Sequence, residues 1–262
     1  MIGPTPLLDF FKRGEVDRDV RMEAAQGALA PRAYEQLAIL ALLVEDPDAE
    51  VRATAEATLS KIPESALKSF LARADVSIDL REFFADRGVF PDEIPQLELE
   101  GGLDVEEPLL DTDASLLGDE GEDRETSIQK LATMGFSERL KAAVKGTREM
   151  RAILVRDANK MISSAVLSSP KLSEPEIESF ARMTNVSDDV LRIIASNRAW
   201  LKSYGIVVAL TRNPKTPVGV SLNLMARLND RDLAKLSVDR NVPEPLRISA
   251  RKKVVAKASG KT

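Results

Sequence analysis

Residues 211–247 read TRNPKTPVGVSLNLMARLNDRDLAKLSVDRNVPEPLR and contain two copies of one short phrase, which begin at Asn213 and Asn241. Two further copies begin at Asp157 and Asn185, so the four starts are each 28 residues apart. A period of this length is typical of proteins in which each repeat is a pair of short helices. We therefore predict that the second half of the chain is built from stacked helix pairs.

The first half of the chain carries the same phrase at a less regular spacing. It begins at Glu15, Asp46 and Asp75, which are 31 and 29 residues apart. An Asp or Asn in the first position is expected to cap the free N–H groups of a helix. The residues five and nine positions after each start are apolar in every copy, and residues four apart share one helix face. These residues are Val20, Val51, Leu80, Ile162, Val190, Val218 and Leu246, and then Ala24, Ala55, Phe84, Val166, Ile194, Leu222 and Ala250.

Longer helices are predicted between the short ones. We expect one from Ala199 to Leu210 and another from Asp232 to Val238, with Asp230 as its cap. Residues 173–176 read Ser-Glu-Pro-Glu, which is a capping box with proline in the first turn. The predicted fold is therefore all-α: an α-solenoid of short helix pairs with a period of about 28 residues, interrupted by an acidic disordered linker.

This pattern resembles a known class of helical repeats. Residues 211–247, with their Asn-Pro-x-Thr-Pro and Asp-x-Asn-Val-Pro segments, are similar to HEAT-like repeats of the leucine-rich-repeat-variant kind. Residues 47–52, which read Pro-Asp-Ala-Glu-Val-Arg, resemble the start of a HEAT helix. Residues 134–250 also resemble an uncharacterised bacterial family of such solenoids. The resemblance implies a fold and no particular reaction.

The net charge of −5 conceals three regions of different sign. Residues 1–90 carry a charge of −5, residues 91–126 carry −13 and residues 127–262 carry +13. We expect four segments: an N-terminal helical module (1–90), the acidic linker (91–130), a basic solenoid (131–252) and a basic flexible tail (253–262). A chain segment with high charge of one sign and few large apolar groups cannot offset its conformational entropy, so we expect the linker to be disordered.

Two hypotheses describe the acidic linker. It is either a solvated spacer between two domains or an intramolecular ligand that covers the basic half of the chain. A covalently attached competitor of this kind acts at an effective concentration in the millimolar range, so even weak self-binding would lower the affinity for an outside partner.

The candidate binding site is a row of arginines in the basic half. Arg156, Arg212 and Arg240 each directly precede a copy of the phrase, so a regular solenoid would stack them along one edge. Such a row could contact an acidic protein or the phosphates of a nucleic acid. The alternative is that each arginine only interacts with the negative end of a helix dipole. Four cations continue the row beyond its end: Arg247, Arg251, Lys252 and Lys253.

Aromatic residues are scarce beside these cations. Trp200 and Tyr204 are four residues apart and would lie on one face of the predicted helix. They could stack on the bases of a nucleic acid, although packing in the helical core is the more common role of such a pair.

Composition excludes several kinds of chemistry. The chain has no cysteine and no histidine, so disulfides, zinc-thiolate sites and histidine-based catalysis are absent. We find no phosphate-binding glycine-rich loop and expect no cofactor, metal or catalytic residue. The beginning of the sequence does not resemble a signal peptide, and the clearest apolar run, Leu37 to Val44, is too short to cross a membrane. We therefore expect a cytoplasmic protein with no membrane partner.

Three functions remain. The first is a non-catalytic binding or scaffold protein whose basic solenoid docks an acidic macromolecular partner. The second is a nucleic-acid-binding protein that contacts phosphates without reading sequence. The third is an alkylpurine DNA glycosylase, because HEAT-like repeats occur in that class of enzyme, with Asp188 or Asp189 as the nearest carboxylates to Trp200 in the sequence. Fold analogy alone supports this third function.

Overall fold

The chain forms two compact units. The computed structural model describes residues 5–92, 108–110 and 124–258, and every regular element among these residues is a helix. The N-terminal unit comprises Met1–Met150 with Ser168–Pro170, and the C-terminal unit comprises Arg151–Leu167 with Lys171–Thr262. The prediction of an all-α fold is confirmed for the described residues.

The N-terminal unit has its core around α3. Helix α3 packs against α1, α2, α4 and α6, and α2 also packs against α4. Leu37 and Leu40 of α3 are completely buried. The helices of this unit are α1 (Pro6–Lys12), α2 (Arg18–Ala25), α3 (Ala33–Leu43), α4 (Ala49–Leu59), α5 (Glu64–Leu71), α6 (Ile78–Ala85), α7 (Arg124–Thr133) and α8 (Phe136–Lys145).

In the C-terminal unit, helices pack against their neighbours in sequence and also against the next helix but one. Contacts of the first kind join α13 to α14 and α15 to α16, and contacts of the second kind join α10 to α12, α11 to α13 and α14 to α16. Helix α9 (Arg148–Leu154) crosses from one unit to the other. The remaining helices are α10 (Lys160–Ala165), α11 (Glu174–Arg182), α12 (Asp188–Ser196), α13 (Tyr204–Arg212), α14 (Val218–Met225), α15 (Asp230–Val238) and α16 (Glu244–Ala258).

The repeated phrase starts helices in a different way from the one predicted. In four copies the side chain of the third residue is the cap: Asp48 and Asn159 each accept two backbone N–H groups of the helix that follows, and Ser77 and Ser187 each accept one. The first residue instead closes a turn, since Asp46 Oδ1 accepts the N–H of Asp48 and Asp157 Oδ1 accepts that of Asn159. Aspartate and asparagine favour both arrangements because their short side chains reach backbone groups two residues ahead. The prediction that the first residue is the cap was wrong by two positions.

The predicted apolar face of the short helices is confirmed in most copies. Of the fourteen apolar residues at the fifth and ninth positions, all but two are buried. The exceptions are Val218 and Leu222 of α14, which are half-buried. Helix α14 begins at Val218, two residues later in its phrase than α10, α12 and α16 begin in theirs.

Two of the predicted longer helices differ from those observed. The helix expected over 199–210 is divided into a 3-10 turn (Trp200–Lys202) and α13, because Ser203 between them is extended. Helix α15 begins two residues before the predicted start, and its cap is Asn229 rather than Asp230. The capping box at Ser173 is confirmed: Glu176 accepts the N–H of Ser173 at the start of α11.

The predicted segment boundaries also differ from the observed elements. Residues 124–130 were predicted to belong to the linker, but they form the beginning of α7. The N-terminal unit extends to Met150 and includes α8, whose Lys141 forms an ion pair with Glu23 of α2, 3.1 Å apart. Residues 253–258 of the predicted tail continue α16, whose Ala, Lys and Arg residues favour a helix. The prediction of a disordered linker concerns residues 93–107 and 111–123, which lie outside the described residues. Residues 259–262 of the predicted tail also lie outside them.

Candidate cationic surface of the C-terminal unit

The three predicted arginines lie where helices end, but they have different surroundings. Arg156 follows α9, and its Nε donates to the carbonyl of Ala152 at 3.1 Å. This contact places its charge at the C-terminus of α9, as the dipole alternative requires. Arg212 is the half-buried last residue of α13. Arg240 is exposed in the turn after α15, and its side chain makes no hydrogen bond or ion pair with the described residues. We define these three residues as the turn edge, and Arg240 is its most available member.

The four cations predicted beyond this edge lie on α16. Arg247 is 3.6 Å from Glu244 in an ion pair, and Arg251 donates to the carbonyl of Ser237 at 3.5 Å. Lys252 and Lys253 are exposed, and within the described residues neither side chain has a polar partner. The next cation, Lys257, is ion-paired with Asp230. Helix α16 therefore presents two adjacent lysines whose charges are not neutralised by neighbouring carboxylates.

Trp200 and Tyr204 do not form the shared helical face that their spacing predicts. Trp200 lies in the 3-10 turn and is half-buried, whereas Tyr204 begins α13 and is 42% exposed. The hydroxyl of Tyr204 donates to Asp232 Oδ2 at 2.8 Å and accepts the N–H of Asn229 at 3.1 Å. Core packing is therefore not the role of Tyr204: its ring lies at the surface and its hydroxyl joins the start of α13 to the start of α15.

The two ionisable groups of this contact influence each other. The hydrogen bond from Tyr204 is the main reason why the pKa of Asp232 is lowered, so this carboxylate stays charged. Loss of solvent around the hydroxyl raises the pKa of Tyr204 above its usual 10, and the Asp232 carboxylate raises it further. The pair is thus a neutral phenol bound to a carboxylate, which is suited to holding two helices together and not to proton transfer near pH 7.

A second group of cations, which the sequence analysis missed, lies next to Trp200 and Tyr204. The loop before α13 and the loop before α15 are in contact, because Arg227 Nη2 donates to the carbonyl of Leu201 at 2.6 Å. Three further cations, Arg198 and Lys202 before α13 and Arg231 in the first turn of α15, are exposed and have side chains without a polar partner in the described part of the chain. We define the resulting surface as the loop edge, formed by Arg198, Lys202, Arg227 and Arg231.

A signal for the loop edge was present in the sequence. Arg227 follows Arg198 by 29 residues, and Arg231 follows Lys202 by the same interval. This spacing is close to the 28 residues that separate the copies of the phrase in the sequence, so the same search for cations at that interval would have found these residues. The interleaving of cations with Trp200 and Tyr204 is a pattern associated with binding of single-stranded nucleic acids.

The carboxylates considered for a glycosylase lie next to cations. Asp188 is 3.5 Å from Arg192 and Asp189 is 2.9 Å from Lys160, so both carboxylates considered for a glycosylase are engaged by cations. No group of three or more acidic side chains among the described residues is arranged to hold a metal ion. None of the described helices combines the length and the apolar character needed to cross a membrane.

Comparison of the chain with protein-family models, with curated proteins and with solved structures gives no match. Arguments about function therefore rest on the geometry and the charges described above.

Proposed function

We propose that this chain is a non-catalytic binding protein whose C-terminal unit docks an acidic macromolecular partner along the turn edge and α16. The proposal is carried by one observation: Arg240, Lys252 and Lys253 are exposed and have no carboxylate partner among the described residues. They belong to a region, residues 127–262, that carries a net charge of +13. Cations that are not neutralised within the protein attract and orient anionic partners.

The proposed scaffold for this surface is a HEAT-like α-solenoid. Its support is that contacts link each helix to the next but one, as in α11 with α13 and α14 with α16. The buried side chain of Asn213 adds to this, because its Nδ2 donates to the carbonyls of Ala181 and Met183, each at 2.8 Å. These bonds connect the turn after α13 to the turn after α11, about one repeat earlier. A solenoid is stabilised by interactions of this nearest-neighbour kind.

Binding of the full chain to poly-L-glutamate tests the proposal. We expect binding at about 50 mM salt that weakens strongly at about 200 mM. The double variant R240E/K252E should lower the affinity about tenfold, since each reversal replaces an attraction by a repulsion. The matched control is K12E/K61E, which makes the same charge change at exposed positions of the N-terminal unit. Equal losses in the two double variants would contradict a localised binding surface.

A nucleic-acid partner is the second candidate function, and the loop edge is the observation that favours it. Trp200 is the chain's single tryptophan, so its fluorescence reports directly on stacking. We expect a single-stranded oligonucleotide to quench this fluorescence and poly-L-glutamate to leave it unchanged. The variant K202E/R231E should weaken oligonucleotide binding more than R240E/K252E does. Absence of quenching at saturating oligonucleotide would contradict this candidate.

A DNA glycosylase remains the third and least supported function. It predicts release of a base from alkylated DNA by the purified chain, whereas a binding protein releases none. The ion pairs of Asp188 and Asp189 with neighbouring cations support the non-catalytic proposal.

The acidic linker is a proposed competitor for the turn edge and α16. Residues 93–107 contain six carboxylates, which can be replaced by amides without changing residues 108–110. We expect this variant to bind poly-L-glutamate more tightly than the wild type, because a tethered anionic competitor has been neutralised. Unchanged affinity would instead identify the segment as a spacer.

A further inference from the structure

Three residues within the predicted acidic linker contact the helices of the N-terminal unit. Pro108, Leu109 and Leu110 are each half-buried, and both backbone groups of Leu110 are bonded to one side chain. The Nε2 of Gln36 donates to the carbonyl of Leu110 at 2.8 Å, and the N–H of Leu110 donates to Gln36 Oε1 at 3.1 Å. The side-chain amide of Gln36 therefore binds the N–H and the C=O of one residue together, as the paired residue of a neighbouring antiparallel strand would do.

Gln36 is held in place for this contact. It lies on α3, is only 1% exposed, and its Nε2 also donates to the carbonyl of Gly27 at 3.3 Å. Gly27 has φ of +86°, a conformation that favours glycine, and a Cβ at this position would lie 3.3 Å from Gln36 Nε2 and 3.5 Å from Thr58 Cγ2. A larger residue at Gly27 would therefore crowd the amide, whereas the glycine lets its own carbonyl accept from Gln36 and hold the amide in the orientation that meets the bound segment.

Removing the segment would break both hydrogen bonds between Gln36 and Leu110. Without the segment, Gln36 Oε1 loses its donor and Nε2 keeps only the carbonyl of Gly27, so the site favours a ligand that offers the same donor and acceptor. The backbone of any residue other than proline offers both groups. Apolar side chains on the neighbouring residues supply selectivity, as Leu109 and Leu110 do here, and a proline favours the extended backbone at the residue before it.

We propose that the N-terminal unit contains a peptide-binding site centred on Gln36, and that the chain's own Pro108–Leu110 segment occupies it as a tethered inhibitor. The ligands of this site are peptide segments that carry a proline followed by leucines between acidic residues, as in the sequence of residues 104–113, DVEEPLLDTD. Tethering gives the internal segment an effective concentration in the millimolar range, so it suppresses binding of outside peptides of micromolar affinity by orders of magnitude. A partner of this chemistry gains access when the internal segment is released.

A labelled peptide of residues 104–113 tests the site in the full chain. The variant L110P removes the backbone N–H that Gln36 accepts and changes no residue of helices α1 to α8. We expect the L110P chain to bind the peptide at least tenfold more tightly than the wild-type chain does. A control peptide with the same leucine-to-proline change keeps the charge but lacks the N–H that donates to Gln36 Oε1. It should therefore fail to bind if recognition depends on Gln36.

The control peptide also separates this site from the cationic surface of the C-terminal unit, since a purely electrostatic interaction would hold both peptides equally. Adding Gln36→Leu to the L110P chain should abolish peptide binding, and circular dichroism of that double variant reports whether it folds. Equal affinity of the wild-type and L110P chains, equal affinity for the two peptides, or binding by neither chain would overturn the proposal. The result expected is selective binding by the L110P chain that persists at about 200 mM salt, because the contacts are hydrogen-bonded and apolar.

Discussion

Selected cations of the two units differ in how far the fold itself engages them. In the N-terminal unit, Arg21 donates to Asp46 Oδ2 at 2.8 Å and to the carbonyl of Val16 at 2.7 Å, while Arg52 donates to the carbonyl of Pro47 at 3.0 Å. In the C-terminal unit, Arg240 and Lys252 are exposed and lack such partners among the described residues. Arginines that bind their own loops stabilise a fold, whereas cations without internal partners are available to another molecule.

A similar contrast exists between two buried glutamates. Glu35 of the N-terminal unit is completely buried, its oxygens accept no hydrogen bond of normal geometry from the described residues, and the guanidinium of Arg32 is 3.9 Å away, so Arg32 and the nearby Thr5 hydroxyl only partly offset its burial. Glu176 of the C-terminal unit is 5% exposed and accepts two hydrogen bonds from Arg151, at 3.1 and 2.8 Å. The same residue type is thus left without hydrogen bonds of normal geometry in one unit and fully engaged in the other, which predicts opposite responses to mutation.

The largest effect is expected from breaking the buried pair of the C-terminal unit. Arg151→Met leaves the Glu176 carboxylate buried without its cation, which should destabilise the protein by about 3–5 kcal/mol. Denaturant unfolding monitored through Trp200 measures the loss, because Trp200 lies in this unit. The double variant R151M/E176Q should recover a large part of it, since the uncompensated charge is then gone. A single variant that is as stable as the wild type would show that the pair contributes nothing.

Removing the charge of Glu35 should stabilise the protein, whereas breaking the Arg151–Glu176 pair destabilises it. Burial raises the pKa of Glu35 from 4.5 to about 7, so the folded state is increasingly penalised as the pH rises from about 4.5 and fully penalised above about 7. Glu35→Gln should therefore stabilise the protein relative to wild type by about 2 kcal/mol more at pH 8 than at pH 5.5. Unfolding by denaturant at the two pH values measures this difference. The exposed Glu45→Gln is the control, and a pH-independent difference for E35Q would contradict the prediction.

The asparagines of the repeated phrase allow a comparison within the C-terminal unit. Asn213 is 3% exposed and bonds two carbonyls of an earlier turn, whereas Asn185 and Asn241 are exposed. Asn213→Ala should cost about 2 kcal/mol because it leaves those carbonyls without partners. N185A and N241A should each change the stability by less than about 0.5 kcal/mol. Thermal unfolding of the three variants measures these effects, and equal losses would show that the phrase does not connect neighbouring repeats.

The smallest effects concern the surface arginines of the two units. Arg21→Gln should cost about 1–2 kcal/mol, since Asp46 is only 6% exposed and loses a charged partner. Arg240→Gln should change the stability by less than about 0.5 kcal/mol, because this exposed side chain has no hydrogen bond or ion pair with the described residues to lose. The free energy of unfolding of each variant, measured by chemical denaturation, tests both values. A large effect at Arg240 would show that it belongs to the fold and would weaken its proposed role in binding.

The helical elements could be predicted because they depend on residues that are near each other in the chain. Capping side chains, proline in first turns and apolar residues four apart act within a single helix, so the buried faces at Val51, Ile162 and Val190 were accessible to pattern analysis. The separation of charge into an acidic and a basic region is likewise a property of composition. These features determined the all-α class and directed attention to the C-terminal unit.

Contacts between distant residues were decided only by the tertiary structure. The bond of Arg227 to Leu201 spans 26 residues and that of Gln36 to Leu110 spans 74, and no local pattern specifies which side chain meets which backbone group. The sequence alone determined that Arg156 and Arg240 occupy equivalent positions in the repeat. Packing decided that one of them binds a helix end while the other remains exposed, because the availability of a charge depends on its neighbours in space.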